Sequence, residues 1–273
     1  MSAQLAALLR GAPDDLRVWI EMPSRRNLVI CLATIVLGFG SYGLTVGLWR
    51  APTMGFYVAL KMPALIFITL ACNGLLNGML ALLLGSGLGF RQSILAQLLS
   101  FSVAALILGS LAPILLFMAL NAPSPDAPNA GTAHANYMVI HTAIIAYAGV
   151  IANVHLARLL VVTTPSKKIA GATLAAWLGG NAFMGAQFSW ILRPFFGTPG
   201  LEVAFLRADP MRGTFYEIIW RSMSVITSGH PIEGFVALLR PLPPPHPSLK
   251  ILHRPKSHQI MNDQNPTPPA LPL

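Results

Sequence analysis

The chain has 273 residues, of which 54% are hydrophobic and 10% are charged, and its mean hydropathy is +0.63. Soluble proteins contain about 25% charged residues, so this composition excludes an ordinary soluble domain and indicates an integral membrane protein in contact with the lipid bilayer. The formal net charge is +9. The basic residues are scattered through segment ends without an aromatic-interleaved patch or a reader motif, so we interpret them as membrane-orienting charges and exclude a nucleic-acid partner.

Residues 1–26 mix leucines with arginines and aspartates and predict an amphipathic segment on the membrane surface. Because acidic residues and about two dozen positions precede the first apolar run, this segment does not resemble a cleavable signal sequence. Arg25 and Arg26 lie directly before that run. Basic residues flank spans on the cytoplasmic side, so we expect a cytoplasmic amino terminus in the cell (inner) membrane.

Five apolar segments follow, each about as long as the 20-residue helix that crosses roughly 30 Å of hydrocarbon. They cover residues 28–49, 60–84, 93–120, 137–162 and 169–190. The predicted fold is therefore all-α, a polytopic transmembrane helical bundle over residues 27–192. We expect the hairpin of the second and third segments to form its packing centre, with Pro63 in the first turn of the second helix and a kink at Pro113 in the third.

The charges between these segments predict their orientation. Arg91 and the pair Lys167 and Lys168 would lie in the cytoplasm, and the loop over residues 121–136, which has no Lys or Arg, would lie outside. Five spans then place Arg193 and Arg207 outside, against the positive-inside rule. A break at residues 179–181 that made the fifth segment a re-entrant hairpin would remove this conflict. Insertion of residues 215–239 as a sixth element would also remove it, but this would bury several charges in the membrane, so we retain five spans.

The sequence after the last span predicts two further regions. Residues 193–239 have the pattern of an interfacial loop with aromatic anchors followed by an amphipathic helix near residues 214–225. Residues 240–273 contain ten prolines in the stretch from position 241 and lack apolar periodicity. This composition predicts a disordered Pro-rich tail.

Small residues four positions apart predict close helix packing in two of the segments. Gly43 and Gly47 form a GxxxG pair in the first segment, and Gly74 and Gly78 repeat that spacing in the second. Such pairs let two helix backbones approach closely within a membrane. A ligand cavity opened by the glycines of the first segment is the alternative.

Several amides lie within the apolar segments, where they need partners inside the bundle. Asn73 and Asn77 are four residues apart and so share one helical face. The other buried polar candidates are Gln97, Asn153, Asn181 and Gln187. We interpret these residues as interhelical hydrogen-bonding groups, and a polar site for an ion or a small solute is the alternative.

The remaining reactive residue types predict no catalytic or metal site. His141 and His155 are fourteen residues apart, which separates them by about 21 Å along a helix, so they do not share a metal and are interpreted as hydrogen-bonding or interfacial residues. Cys31 and Cys72 are interpreted as small buried hydrophobic residues. The sequence lacks a Walker loop, HExxH and GxSxG, and its acids lie in ends and loops, so we expect no enzyme activity and no cofactor.

Three stretches suggest a family resemblance: SYGLTVG at residues 41–47, KMPAL at residues 61–65 and GSGLGFR at residues 85–91. With these and its span pattern, the chain resembles the Yip1-like multi-spanning membrane proteins and their uncharacterised bacterial relatives over about residues 1–165. The resemblance implies a non-catalytic role in membrane organisation or partner binding. It transfers no site residues.

The sequence therefore predicts a non-enzymatic membrane protein that assembles with other membrane proteins or with itself. The glycine faces and the absence of catalytic motifs favour this prediction. The alternative is a small-solute or ion channel or transporter that uses the face of Asn73 and Asn77.

Overall fold

The computed structural model describes residues 6, 8, 10–207, 209–211 and 213–217, all within one compact unit, Met1–Arg221. From Gly11 onward these residues form an all-α fold. Its helices are α1 (Pro13–Glu21), α2 (Arg25–Leu48), α3 (Pro52–Leu83), α4 (Phe90–Asn121), α5 (Ala130–Thr163) and α6 (Lys167–Ile191). No strand occurs in the described part of the chain.

Four of these helices, α2 to α5, are long and apolar enough to cross a membrane. The chain is accordingly an integral membrane protein. The fifth predicted span forms α6, which is long enough at 25 residues but is not among the four. Its glycines, Asn181 and Gln187 reduce its average hydropathy.

Two helices begin well before the predicted spans. Helix α3 begins at Pro52 instead of residue 60, because proline is favoured in a first turn, where its missing N–H is not needed. Pro63 is therefore inside the helix, and its prediction as a first-turn proline was wrong. Helix α5 begins at Ala130, within the segment predicted as a loop from its turn-forming residues. In this first part of the helix the His134 ring stacks on Trp49.

The two most extensive helix interfaces both involve α2, which packs on α3 on one side and on α4 on the other. Helices α3 and α4, the hairpin that was expected to form the packing centre, pack less extensively on each other than on α2. The close approach to α4 occurs at Gly38, where a Cβ atom would overlap the carbonyl group of Ala105. Helix α5 packs on α4, and α6 packs mainly on α3 and less on α5.

The turn between α3 and α4 is built by glycines in the left-handed region. Gly85 and Gly87 have φ values of +68° and +75°, which side-chain-bearing residues rarely adopt. The N–H of Ser86 donates to the carbonyl of Ala81 over 3.0 Å, closing the end of α3. Arg91 follows in the first turn of α4 and is exposed.

The amphipathic prediction for the amino-terminal segment corresponds to α1. Leu16 and Ile20 are buried on one side of this helix, which packs against α5 and α4. Arg17 and Glu21 form an exposed ion pair of 2.7 Å on the other side. The ion pair raises the pKa of Arg17 above its ordinary value, first through the hydrogen bond to Glu21 and then through its charge.

The structure also bears on the predictions for the two cysteines, the fifth segment and the carboxyl-terminal regions. Cys31 is buried in α2, but Cys72 is exposed, so its prediction as a buried residue was wrong. Helix α6 continues without interruption through residues 179–181, which removes the re-entrant alternative. The predicted helix at residues 214–225 lies mostly outside the described residues, and the predicted tail at residues 240–273 lies entirely outside them.

Candidate functional site

A polar stripe on α3 lies inside the bundle. Thr69, Asn73 and Asn77 follow one another at four-residue spacing, and their exposed fractions are 3%, 0% and 0%. Residues four apart share one helical face. The stripe therefore presents one hydroxyl and two carboxamides to whatever helix packs against it.

Helix α6 covers this stripe. The Nδ2 of Asn73 donates to the Oδ1 of Asn181 over 2.6 Å, and the indole N–H of Trp177 donates to the backbone carbonyl of Asn77 over 2.8 Å. Trp177 and Thr173, one turn before it, are both fully buried. The contact between α3 and α6 is thus made by polar groups at several levels. We name these residues, Thr69, Asn73, Asn77, Thr173, Trp177 and Asn181, the polar contact.

Gly180 allows the two carboxamides to converge at this contact. A Cβ atom on Gly180 would lie 2.9 Å from the Oδ1 of Asn73 and 3.3 Å from the Oδ1 of Asn77. Both oxygens therefore lie within a few ångströms of the same point on α6. A larger residue at position 180 would have to displace them.

Several polar atoms of the contact have no hydrogen-bond partner among the described residues. They are Thr69 Oγ1, Asn73 Oδ1, Asn77 Nδ2, Asn77 Oδ1 and Thr173 Oγ1. An unpaired buried polar group costs about 1–3 kcal/mol, which a bound water or small polar molecule would offset. The cluster contains no acid, base or thiol, so its chemistry is hydrogen bonding.

The other predicted polar residues lie apart from this contact. Gln97 is 1% exposed, and neither of its amide atoms has a partner in the described part of the chain. Asn153 and Gln187 are half-buried: the first donates to the carbonyl of Gly149 in its own helix over 2.8 Å, and the second accepts from the N–H of Phe215 over 3.3 Å.

The predicted glycines lie at helix contacts. Cβ atoms on Gly43 and Gly47 would press on the backbone carbonyls of Val58 and Met54, so α2 and α3 approach closely there. A Cβ on Gly74 would lie 3.3 Å from Ile94, and one on Gly78 would overlap the Phe90 ring. These two glycines face α4.

A second buried cluster joins aromatic and histidine side chains of α2 and α5. The Tyr42 hydroxyl lies 2.8 Å from Nδ1 of His141, and the Tyr137 hydroxyl donates to the carbonyl of Thr45 over 2.6 Å. The ring centroids of Tyr137 and His141 are 4.3 Å apart. The sequence predicted a hydrogen-bonding His141 but not this partner, because 99 residues separate the pair and no periodic pattern relates them.

Residues 192–207, named here the basic loop, cover the end of the bundle at which α6 finishes. The ammonium of Lys61, 1% exposed, donates to the carbonyl of Pro194 over 2.9 Å and lies 4.9 Å from the centroid of the Phe205 ring. Arg50 donates to the carbonyl of Leu201 over 2.9 Å. The sequence did not predict a site at these cations, although a lysine within a membrane segment is a signal for one.

Among the described residues, no group of His, Cys, Asp and Glu side chains is arranged to hold a metal ion. Comparison with known proteins found no matching family model, no matching curated protein and no matching solved structure.

Proposed function

We propose that this integral membrane protein is a non-enzymatic assembly component that binds another transmembrane helix on the outer face of α6. This is the role that the Yip1-like resemblance implies. The observation that supports it is an uncovered face of small residues on that helix. Gly171, Ala175, Gly179 and Ala182 are exposed along one side of α6, where Leu178 is the larger exposed residue among them.

This face has room for a close neighbour. Cβ atoms placed on Gly171 and Gly179 would meet nothing within 4 Å. In membranes, where apolar side chains gain nothing by leaving lipid for another helix, faces of small residues are a preferred surface for helix association because backbones can approach closely. Since α6 is also not among the four helices that are apolar enough to cross a membrane alone, contact with protein suits this face better than contact with lipid.

Purification in mild detergent tests the proposal. We expect the protein in a complex with a second copy or with another membrane protein, and the mass of the complex distinguishes the two. Gly179→Leu should reduce capture because the added side chain separates the helices. Ala146→Leu, on the exposed side of α5, is the matched control and should leave capture unchanged. A monodisperse monomer that captures nothing would contradict the proposal.

A small-solute or ion pathway is the second candidate, and the unpartnered atoms of the polar contact favour it. Buried amide and hydroxyl groups without partners are expensive in hydrocarbon and are common in substrate sites. Vesicles containing the protein should then show flux of a small polar solute that Asn73→Leu with Asn77→Leu abolishes. Flux that is absent, or unchanged in this variant, would remove the second candidate.

A further inference from the structure

Four cationic side chains lie in or against the basic loop. Lys61 and Arg50 reach it from α3 and from the turn before α3, and Arg193 and Arg207 belong to it. The guanidinium of Arg193 lies on the Trp190 ring, with its Cζ 3.5 Å from the ring centroid, and donates to the Trp190 carbonyl over 2.7 Å. The loop thus concentrates positive charge at one end of an apolar bundle.

None of these cations forms an ion pair with a carboxylate of the described residues. The ion pair found among those residues joins Arg17 and Glu21, which belong to α1. Glu202 is the acid within the loop, and it is exposed. Burial lowers the pKa of Arg193, and the positive charge of Arg207 lowers it further. An arginine remains charged despite such a shift, so the two guanidinium groups repel each other.

The same region has buried donors that lack an acceptor. The Nε atoms of Arg50 and Arg193 and the indole Nε1 of Trp190 are buried without a hydrogen-bond partner in the described part of the chain. Each is an N–H group, and two belong to cations. An anion with several oxygens would satisfy such donors once a shift of the side chains exposes them, because charge-assisted hydrogen bonds are the strong ones.

We propose that the basic loop binds the phosphate of an anionic phospholipid, with Arg193 and Arg207 as its charged contacts. The position of the loop favours a lipid as the source of the phosphate. Lys61, beneath it, is at the start of the predicted apolar segment of α3, where hydrocarbon meets headgroups. Trp190, Phe195 and Phe205 give the region the aromatic composition of a membrane interface.

This site accounts for the orientation conflict in the sequence. The positive-inside rule concerns basic residues that set the orientation of the spans. Arg193 and Arg207 conflict with it only if they have that role. In the proposed site, these two charges bind a lipid phosphate. They do not report on the direction of insertion.

The experiment uses the full chain in a neutral detergent and measures bound lipid by native mass spectrometry. We expect phosphatidylglycerol to bind about tenfold more tightly than phosphatidylcholine, and Arg193→Gln with Arg207→Gln to remove that preference. Arg91→Gln, at the opposite end of the bundle, should retain it. Arg207→Gln alone changes an exposed side chain, so it tests the site even if the double variant fails to fold.

Inorganic phosphate distinguishes the source of the anion. It should not compete with phosphatidylglycerol at equal concentration, because it lacks the acyl chains and the glycerol that hold the lipid at the interface. Equal binding of the two lipids, or an equal loss of preference in Arg91→Gln, would overturn the site. Inorganic phosphate that competes as well as the lipid would overturn the assignment to a lipid.

Discussion

The carboxamide of Asn73 donates a 2.6 Å hydrogen bond to the Oδ1 of Asn181 and so joins α3 to α6. Asn73 is fully buried, whereas Asn181 is half-buried. The bond therefore lies at the margin of the polar contact, and its loss would leave a buried donor without a partner. Helix α6 is thus attached to the bundle in part through an amide pair.

Asn181→Ala should destabilise the protein by about 1 kcal/mol, the usual scale of an interhelical hydrogen bond in a membrane. Asn153→Ala is the control, since its side chain bonds to the carbonyl of Gly149 within one helix and should cost less. Unfolding in a denaturing detergent measures both values. A double-mutant cycle with Asn73→Ala that gives no coupling between positions 73 and 181 would contradict the bond.

Two adjacent glycines of α6 should respond in opposite directions to the same change. Gly180→Ala places a methyl group 2.9 Å from the Oδ1 of Asn73 and should destabilise the fold by about 1 kcal/mol through overpacking. Gly179→Ala meets nothing within 4 Å and should stabilise α6 by roughly 0.5–1 kcal/mol, because alanine is the better helix former.

Thermal unfolding of the two glycine variants in the same detergent provides the measurement. The matched positions exclude a general effect of adding a methyl group to α6. If both variants change the melting temperature in the same direction, the polar contact does not pack against Gly180 as described.

Tyr42→Phe should destabilise the bundle by about 1–3 kcal/mol, because it removes the hydroxyl 2.8 Å from Nδ1 of His141 and leaves that nitrogen buried without a partner. Tyr147→Phe is the control, since Tyr147 is exposed on α5. The measurement is again unfolding in denaturing detergent. A cost at Tyr42 no greater than that at Tyr147 would show that the pair contributes little.

The apolar lengths predicted the helical class and the membrane location because burial in hydrocarbon requires continuous apolar helices. The ends of α3 and α5 were missed because the residues before the apolar runs are helical through packing, as at His134 on Trp49. Gly180 was placed in a predicted break, although it is a contact residue. Its role depends on Asn73 and Asn77, more than 100 positions earlier, which no local pattern relates to it.

Cysteines at positions 91 and 207 should be labelled from opposite sides of the membrane. Arg91 follows α3, and the basic loop contacts Arg50 and Lys61 near the beginning of that helix. Helix α3 has 32 residues and spans roughly 48 Å at 1.5 Å per residue, which exceeds the hydrocarbon thickness of about 30 Å. We therefore expect the two positions to lie beyond opposite faces of the bilayer.

Cys72→Ser replaces the native thiol on the outer side of α3 before Arg91→Cys or Arg207→Cys is introduced, so that labelling reports only the introduced cysteine and the buried Cys31. An impermeant maleimide added to intact cells should label position 207, and position 91 should react only after the membrane is opened, because Arg91 is predicted to be cytoplasmic. Labelling of both positions from the same side would show that α3 does not cross. Labelling of position 91 alone from outside would reverse the predicted orientation while leaving the bundle intact.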